Sequence, residues 1–262
     1  MSAPFLDLQN VTVFRGSHRI LQDFTLQLRL GETTIILGPN GAGKSTLLGL
    51  IDGTHPCAWS EDSSCQLFGE THWSLAELRH RLGVVQPEDV RRFRRHDTGL
   101  DVILSSFFGS FGLTPRMVPT SGQRQRADAI LQRLQLSHLA ERPFPALSSG
   151  EKRRLLIARA LVHDPEVLIL DEPTTALDLP SRWQLLDLLN DLSAEGLTLV
   201  LVTHDPSELP QVTSRTILLQ HGKILADGPP PEVLTASNLT ELYRHPVSVS
   251  WQDHHPIVTP KK

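Results

Sequence analysis

The sequence has few cysteines and no long apolar stretch. Its 262 residues include two cysteines, Cys57 and Cys65, which is typical of a reducing compartment. Their spacing is not a zinc-binding pattern without further ligands, and we interpret them as loop residues. The most apolar runs, 167–170 and 197–202, are far shorter than the roughly 18 residues of a membrane span. Residues 1–10 lack the basic start and apolar run of a signal peptide. We therefore expect a soluble chain that associates with a membrane only through a partner.

The sequence also lacks an excess of positive charge. Its formal net charge is −4 at pH 7, which argues against nucleic-acid binding through bulk charge. The 12 histidines are scattered, and we expect the pair His254-His255 to lie in a solvated tail rather than a metal site. The length fits one large domain or two small ones and allows a substantial buried core.

A glycine-rich segment stands out against this background. Residues 38–45 read Gly-Pro-Asn-Gly-Ala-Gly-Lys-Ser, between apolar runs at 33–37 and 46–51. The order strand, loop, helix is the context that the pattern G-x-x-x-x-G-K-[ST] requires. Glycines let backbone N–H groups face an anion, and the helix that follows directs its positive end to the same place. Lys44 can reach terminal phosphates, and Ser45 can place a hydroxyl on a magnesium ion.

The apolar periodicity predicts antiparallel strands before this loop and an α/β core after it. We expect strands at 5–14 and 20–30, the second of which alternates apolar and polar residues. A short strand at 66–68, a helix opening with the capping box at Ser74–Glu77 and a strand at 82–85 follow.

From residue 88 to residue 147 the pattern becomes helical. We expect helices at 100–108 and 127–139, in a subdomain inserted between strands of the core. The arginine run at 91–95 predicts either a solvated face or contact with a partner or anionic lipid headgroups. The later predicted elements are helices at 152–162, 180–194, 230–234 and 239–243, strands at 167–172 and 197–203, and a hairpin of strands at 216–219 and 223–226.

Polar side chains follow the ends of three predicted strands. In open α/β sheets ligands bind outside the carboxyl ends of the strands. Asp171 can hold magnesium there, and Glu172, facing the other way, can orient or deprotonate an attacking water. His204 can contact a γ-phosphate, and the side-chain oxygen of Gln86 can reach the magnesium or the water.

Several motifs along the chain resemble those of one family. Residues 147–151, Leu-Ser-Ser-Gly-Glu, resemble the LSGGQ signature of ATP-binding cassette (ABC) ATPases. Four further motifs are similar to that family's pattern: the Q-loop at Gln86, Walker B at 168–174, the D-loop at 175–178 and the H-loop at 202–205. With the glycine loop, these six motifs stand in the family's order, and the resemblance covers roughly residues 5–243.

The resemblance implies an α/β fold, with a P-loop NTPase core, an N-terminal antiparallel β-subdomain and an inserted helical subdomain at about 90–165. The ATPase domain would span residues 1–245, with a C-terminal tail at 246–262. It also implies ATP hydrolysis with ATP and Mg²⁺ bound. The implied phosphate-binding residues are Gly38, Pro39, Asn40, Gly41, Ala42, Gly43, Lys44, Ser45 and Thr46. The implied metal site comprises Ser45, Gln86 and Asp171, and the implied catalytic residues are Glu172, His204, Gln86 and Lys44.

The resemblance further implies a head-to-tail dimer with two ATP molecules between the subunits. In the family, the signature, here Ser148 and Gly150, faces the nucleotide of the other subunit, and Asp178 would lie at the interface. Because this chain has one phosphate loop and one signature, it must pair with a second copy or a similar chain. Two residues depart from the family's signature, Ser149 and Glu151.

The adenine contact has two candidates in the sequence. The family usually stacks adenine on an aromatic residue, and the matching position falls on Arg15, just after Phe14. A guanidinium can also stack on a base. Phe14 could instead be ordinary core packing.

The length of the insert and the number of cassettes indicate which class of ABC ATPase the chain resembles. Chromosome-type members carry very long coiled coils where this chain has 62 positions, between Gln86 and Ser148, so that class is excluded. Translation-type members usually carry two cassettes in one chain, whereas this chain has one. The segments 228–235 and 238–243 resemble the end of importer subunits for metal chelates. We therefore expect a cytoplasmic subunit, peripheral at the inner face of the cell membrane through an integral permease, with no nucleic-acid partner. The alternative is a stand-alone ABC ATPase that acts on DNA or ribosomes.

Overall fold

The computed structural model describes residues 4–58, 61–253 and 255–261, and only the backbone of Leu75. The expectations for residues 1–3, His254 and Lys262 fall outside this part of the chain. The strands are β1 (Pro4–Arg15), β2 (His18–Arg29), β3 (Thr33–Leu37), β4 (Ser64–Leu67), β5 (Leu82–Val85), β6 (Val167–Asp171), β7 (Thr198–Thr203), β8 (Arg215–Gln220), β9 (Lys223–Gly228), β10 (Val247–Gln252) and β11 (His255–Pro260). The α-helices are α1 (Lys44–Ile51), α2 (Leu75–Arg81), α3 (Gly99–Leu104), α4 (Ser121–Arg133), α5 (Ser149–Leu161), α6 (Leu179–Ala194), α7 (Pro230–Val233) and α8 (Ala236–Tyr243).

The chain divides into two compact units. The first unit comprises Met1–Leu78 and Leu186–Lys262, and the second comprises Arg79–Leu185. The helical insert predicted at about 90–165 falls within the second unit, which also holds β5 and β6. The exact limits of that insert remain a prediction.

The first unit contains an antiparallel sheet of strand order β2-β1-β4. In β2 the buried side chains are Leu21, Phe24, Leu26 and Leu28, so one face of the strand faces the core. That alternation is the pattern of a strand with one solvated face.

A second sheet of the first unit has the strand order β7-β3-β8-β9. The pairs β3–β7 and β3–β8 are parallel, and β8–β9 is an antiparallel hairpin. Every residue of β3 and of β7 is buried, as expected for central parallel strands that are covered on both faces.

The second unit packs its helices beside two parallel strands. Leu82–Val85 pairs with Val167–Leu170, and α5 packs against β5. An aromatic cluster supports the helices, with the Phe93 ring 5.3 Å from Phe111 and 4.8 Å from Phe144 between centroids. No helix in the described ranges is both long and apolar enough to span a bilayer.

Three sequence expectations need correction or extension. The helix predicted at 127–139 is wrong by about six residues, because α4 begins at Ser121 behind the cap Thr120 and ends before Gln135, whose φ is 57°. The helix predicted at 100–108 is α-helical only to Leu104 and then 3-10 at Ser105–Phe108. The C-terminal stretch, expected to be a tail at 246–262, forms the β10–β11 hairpin.

Candidate functional site

The phosphate loop in the first unit takes a conformation that only its glycines allow easily. Gly41 and Gly43 have φ values of 81° and 107°, in the left-handed region that other residues rarely adopt. At Gly38 a Cβ would lie 2.3 Å from the carbonyl oxygen of Leu219 on β8, so the loop crosses the neighbouring strand without room for a side chain. These three positions are therefore ones at which a side chain would strain the loop or collide with β8.

Helix α1 starts differently from four other helices of the chain. Its N-cap is Gly43, whose lack of a side chain leaves the first turn without a side-chain cap, whereas Thr or Ser caps α3, α4, α5 and α8. Backbone N–H groups at an uncapped helix start are available to an anion, which fits a phosphate ligand.

The ammonium group of Lys44 lies at the same loop. The residue is 7% exposed, and Nζ donates to the carbonyl oxygens of Gly38 at 2.6 Å and Pro39 at 3.2 Å. The charge is therefore held beside the loop backbone. Of its neighbours, Thr46 is buried and Ser45 is exposed.

His204 is brought to the phosphate loop by strand register. Leu37 pairs with Thr203, so Gly38 and His204 follow directly at the carboxyl ends of neighbouring strands. The N–H of Gly38 donates to the carbonyl oxygen of Thr203 at 3.2 Å. His204 itself is exposed. The predicted meeting of these two segments at one sheet edge is therefore confirmed within this unit.

The two adenine candidates lie at the β1–β2 turn. Arg15 is exposed and pairs with His18. Phe14 is 46% exposed, with the Arg19 guanidinium 5.6 Å from the centre of its ring. The alternative that Phe14 is ordinary core packing is therefore wrong, and it stands on the surface with Arg15.

In the second unit, Gln86 follows β5, and Asp171 is the last residue of the adjacent strand β6. Val85 pairs with Leu170 in parallel register, so both residues leave the same edge of the β5–β6 pair. The Gln86 backbone N–H donates to Asp89 Oδ2 at 3.0 Å, and the Asp89 N–H donates to the Gln86 carbonyl oxygen at 3.2 Å. These two bonds open the 3-10 helix Pro87–Arg92. The backbone of Gln86 is therefore fixed by a residue that the sequence analysis missed, although an acidic residue three positions after a helix start was a detectable signal.

Two buried charged side chains lie near the carboxyl ends of β5 and β6. Asp89 is 6% exposed, and burial raises the pKa of its carboxyl group, against the opposing effects of the Gln86 hydrogen bond and the nearby arginines. Arg153 on α5 is 5% exposed, and burial lowers the pKa of its guanidinium, while Asp89, Asp171 and Glu88 raise it. Asp171 therefore lies within electrostatic reach of a buried cation. In the described ranges, no group of three or more His, Cys, Asp and Glu side chains is arranged to hold a metal ion.

Glu172 leaves the strand at a sharp backbone turn. β6 ends at Asp171, and Glu172 has a φ of 42°, so its side-chain direction is set by a left-handed residue rather than by strand alternation. The Thr175 hydroxyl donates to Glu172 Oε2 at 3.1 Å. The expectation that the strand continues through Glu172 is wrong by one residue.

The signature segment forms the start of α5. Ser148 is the N-cap; its hydroxyl accepts from Glu151 N at 3.2 Å, and the Glu151 carboxylate accepts from Ser148 N at 2.7 Å. Arg142 adds an ion pair at 2.9 Å, and these contacts lower the pKa of Glu151, with the Ser148 backbone hydrogen bond the largest cause. Ser149 is exposed at the first helical position, so its side chain meets no obstacle there.

Gly150 and Asp178 are linked through one serine. A Cβ on Gly150 would lie 2.6 Å from Ser181 Oγ, so the start of α5 touches the first turn of α6. Asp178 caps α6, and its Oδ1 accepts from Ser181 N at 3.0 Å. The hydrogen bonds from Ser181 lower the pKa of Asp178.

Comparisons with known proteins agree with this arrangement. A family model described as ABC transporter matches residues 21–175. The chain is 36% identical to the hemin import ATP-binding protein HmuV of Aliivibrio fischeri, over 94% of this chain and 92% of that protein. It is 38% identical to the cobalt import ATP-binding protein CbiO of Rhodobacter capsulatus, over 88% and 81%. The structure of a transporter assigned to the metal-chelate ABC type, in an inward-facing conformation, has a TM-score of 0.77 at 28% identity, over 99% of this chain and 98% of that one.

Proposed function

Because the chain belongs to the ABC transporter family, in which it is an ATPase subunit, we propose that it drives an importer of the metal-chelate type. The predicted fold class, an α/β P-loop NTPase core with an antiparallel β-subdomain and a helical insert, is confirmed by the likeness to a solved ABC transporter. One observation carries the nucleotide-binding part of the proposal: α1 starts without a side-chain cap beside a buried Lys44, at the loop that also meets His204.

We propose that residues 38–46 hold the ATP phosphates. The backbone N–H groups of the loop would bind phosphate oxygens, and Lys44 would exchange its two carbonyl acceptors for the β- and γ-phosphates. Arg15 or Phe14 at the exposed β1–β2 turn would contact the adenine.

Oxygen-bearing residues fit a magnesium ion bound with the nucleotide. Ser45 would supply a hydroxyl, Asp171 a carboxylate and Gln86 an amide oxygen, which are the hard ligands that magnesium prefers. When bound, the ion neutralises charge on the phosphates. The proximity of Gln86 and Asp171 at one strand edge supports this assignment.

We propose that Glu172 orients the attacking water and accepts its proton, and that His204 contacts the γ-phosphate. Phosphoryl transfer needs little covalent chemistry from the protein, so positioning and charge stabilisation carry the catalysis. The bond from Thr175 to Glu172 supports a fixed direction for the Glu172 side chain, and the position of His204 directly after β7, next to Gly38, supports its proposed contact.

A second subunit would complete the site. Ser148 and Gly150 would face the nucleotide bound by a second copy or a similar chain, with Asp178 at the interface. The capped start of α5 and its contact with Ser181 give this segment a defined shape, which supports the assignment.

The transport partner is proposed from the relatives. HmuV and CbiO are import proteins for hemin and cobalt, and the matched transporter is assigned to the metal-chelate type. An integral permease would therefore be the partner, and the chain would lie at the inner face of the cell membrane. No feature of the described residues favours the alternative action on DNA or ribosomes.

Two variants test the proposal: the first should lose ATP binding, and the second should accumulate an ATP-bound dimer. Lys44→Ala should abolish ATP binding, measured by fluorescent nucleotide titration, whereas Lys152→Ala, which removes a lysine that also donates to a carbonyl oxygen, should bind ATP normally. Glu172→Gln should accumulate as an ATP-bound dimer in size-exclusion chromatography. Full ATPase activity of Lys44→Ala would overturn the nucleotide site, and a Glu172→Gln variant that stays monomeric with ATP would overturn the homodimer. Co-purification from membranes would identify the permease.

A further inference from the structure

Tyr243 connects the C-terminal part of the first unit to His204. It is the last residue of α8, and its hydroxyl donates to the carbonyl oxygen of His204 at 2.8 Å. The helix that carries it is well anchored: Leu239 and Leu242 are buried, and Gln220 Nε2 donates to the carbonyl oxygens of Glu241 and Leu242 at 2.7 and 3.1 Å. The phenol is thus presented from a fixed support.

The residue before His204 is held from two other sides. The Thr203 carbonyl oxygen accepts from Gly38 N, and the Thr203 hydroxyl donates to the buried carboxylate of Glu208. The same hydroxyl accepts from Asp205 N at 3.1 Å. The chain on either side of His204 is therefore tied to the phosphate loop and to the 3-10 turn Pro206–Glu208.

The segment after His204 borders a cavity. A cavity of about 350 Å³ is lined by residues 204–207, Tyr243 and, from the hairpin, Val258 of β11. A loop bordered by open space has room to shift. Tyr243 and His204 both line this cavity, and the hydrogen bond between them therefore limits where the His204 peptide can move.

The phenol is a donor under all ordinary conditions. Burial and the neighbouring carboxylate of Asp205 raise the pKa of Tyr243, with burial the larger cause. The hydroxyl keeps its proton at neutral and moderately alkaline pH, and the bond to the carbonyl oxygen persists with it.

We infer that Tyr243 is a positioning residue for ATP hydrolysis, because its hydroxyl fixes the His204 peptide and thereby the direction of the imidazole. This inference rests on the proposed role of His204 at the γ-phosphate. Tyr243 acts through the backbone of another residue, because its hydroxyl bonds to the His204 carbonyl oxygen.

The first test compares two substitutions on one helix. Tyr243→Phe removes the hydroxyl that bonds to His204, and Thr240→Val removes a hydroxyl of α8 that accepts from Val247 N at 3.2 Å. Each deletes one hydrogen bond of the C-terminal segment, so both should lower the thermal midpoint similarly. We expect Tyr243→Phe to lower kcat for ATP by roughly two- to tenfold, the factor of one net hydrogen bond, with KM within about twofold. Thr240→Val should keep the wild-type kcat. Equal loss of kcat in both variants would overturn the inference, since general loosening would then explain it.

The second test separates this inference from the proposed function. His204→Ala should lose most activity, and adding Tyr243→Phe to it should cause no further loss, because both act through the same imidazole. If His204→Ala keeps wild-type kcat, the proposed role of His204 fails. If His204→Ala is impaired while Tyr243→Phe matches wild type, or if the two losses multiply, the role of Tyr243 alone is overturned.

Discussion

The contact between Gly150 and Ser181 makes the sharpest prediction. In Gly150→Ala the new Cβ would meet Ser181 Oγ at 2.6 Å and Ser181 Cβ at 2.8 Å, closer than such atoms approach in folded proteins. Ser181 cannot step aside freely, because its N–H donates to Asp178. One of the two helix starts must therefore shift.

The expected magnitude follows from two opposing effects. Replacing a helical glycine by alanine stabilises by up to about 1 kcal/mol. Overpacking a close contact costs about 1–3 kcal/mol. We expect Gly150→Ala to destabilise the protein by about 1–2 kcal/mol, a fall of roughly 2–8 °C in the thermal midpoint for a chain of this size.

The chain contains a matched control. Gly122 is also the second residue of its helix, behind the capping box of Thr120 and Gln123, and a Cβ there would meet nothing within 4 Å. Gly122→Ala should raise the thermal midpoint. Ser181→Gly should relieve the clash, so the double variant Gly150→Ala/Ser181→Gly should recover about 1–3 kcal/mol relative to additivity. The reasoning is refuted if Gly150→Ala stabilises as Gly122→Ala does, or if Ser181→Gly restores nothing.

Three further predictions concern charged and thiol groups. Glu151→Gln should lower the thermal midpoint at pH 7. The pKa of Glu151 is lower in the folded than in the unfolded protein, so its charge stabilises the fold above the usual glutamate pKa, and this stabilisation is lost as the pH falls through the folded pKa. The difference in thermal midpoint between Glu151→Gln and wild type should therefore vanish in acid. A difference that stays constant with pH would contradict this. Arg215→Lys keeps the positive charge but should lower the free energy of unfolding in urea by about 1–2 kcal/mol, because the guanidinium donates to both carboxylate oxygens of Asp227, at 2.7 and 2.6 Å. An unchanged urea midpoint would argue against this. Burial raises the pKa of the Cys65 thiol to about 11, so its alkylation by iodoacetamide, followed by peptide mass spectrometry, should be slow at pH 8 and accelerate above pH 10; fast labelling at pH 8 would show a reactive thiolate.

The parts of the molecule predicted best are those encoded over a few residues. The loop at 38–45 is predicted from residue types at fixed offsets between a strand and a helix, and the structure has β3, this loop and α1 in that order, with positive φ at Gly41 and Gly43. The helix start at Ser74–Glu77 was likewise found from its capping box. The equivalent capping box at Thr120–Gln123 lies in a polar stretch and was not recognised, so the predicted helix begins about six residues after the observed start of α4.

Features that depend on distant contacts were not predictable in the same way. Nothing near Phe14 indicates that it is exposed beside Arg19 rather than buried. In the C-terminal hairpin, β11 carries prolines, which disfavour strand assignment, and it is specified by pairing with β10 and packing near Pro206–Glu208. The bond from Tyr243 to His204 joins residues 39 positions apart and has no local signature.

The register of β3 has a consequence for how the protein is made. Thr33 pairs with Leu199 in β7, and the other neighbour of β3, β8, comes later still. At ordinary rates of synthesis, roughly ten to thirty seconds separate the emergence of the two partners from the ribosome. During that time β3, whose five residues are all buried in the folded chain, has no sheet to join. The helices α3, α4 and α5, each of which begins behind a side-chain cap, can already form. The strand that leads into the glycine-rich loop is thus secured only after β7 has emerged, and until then its apolar side chains are available for aggregation.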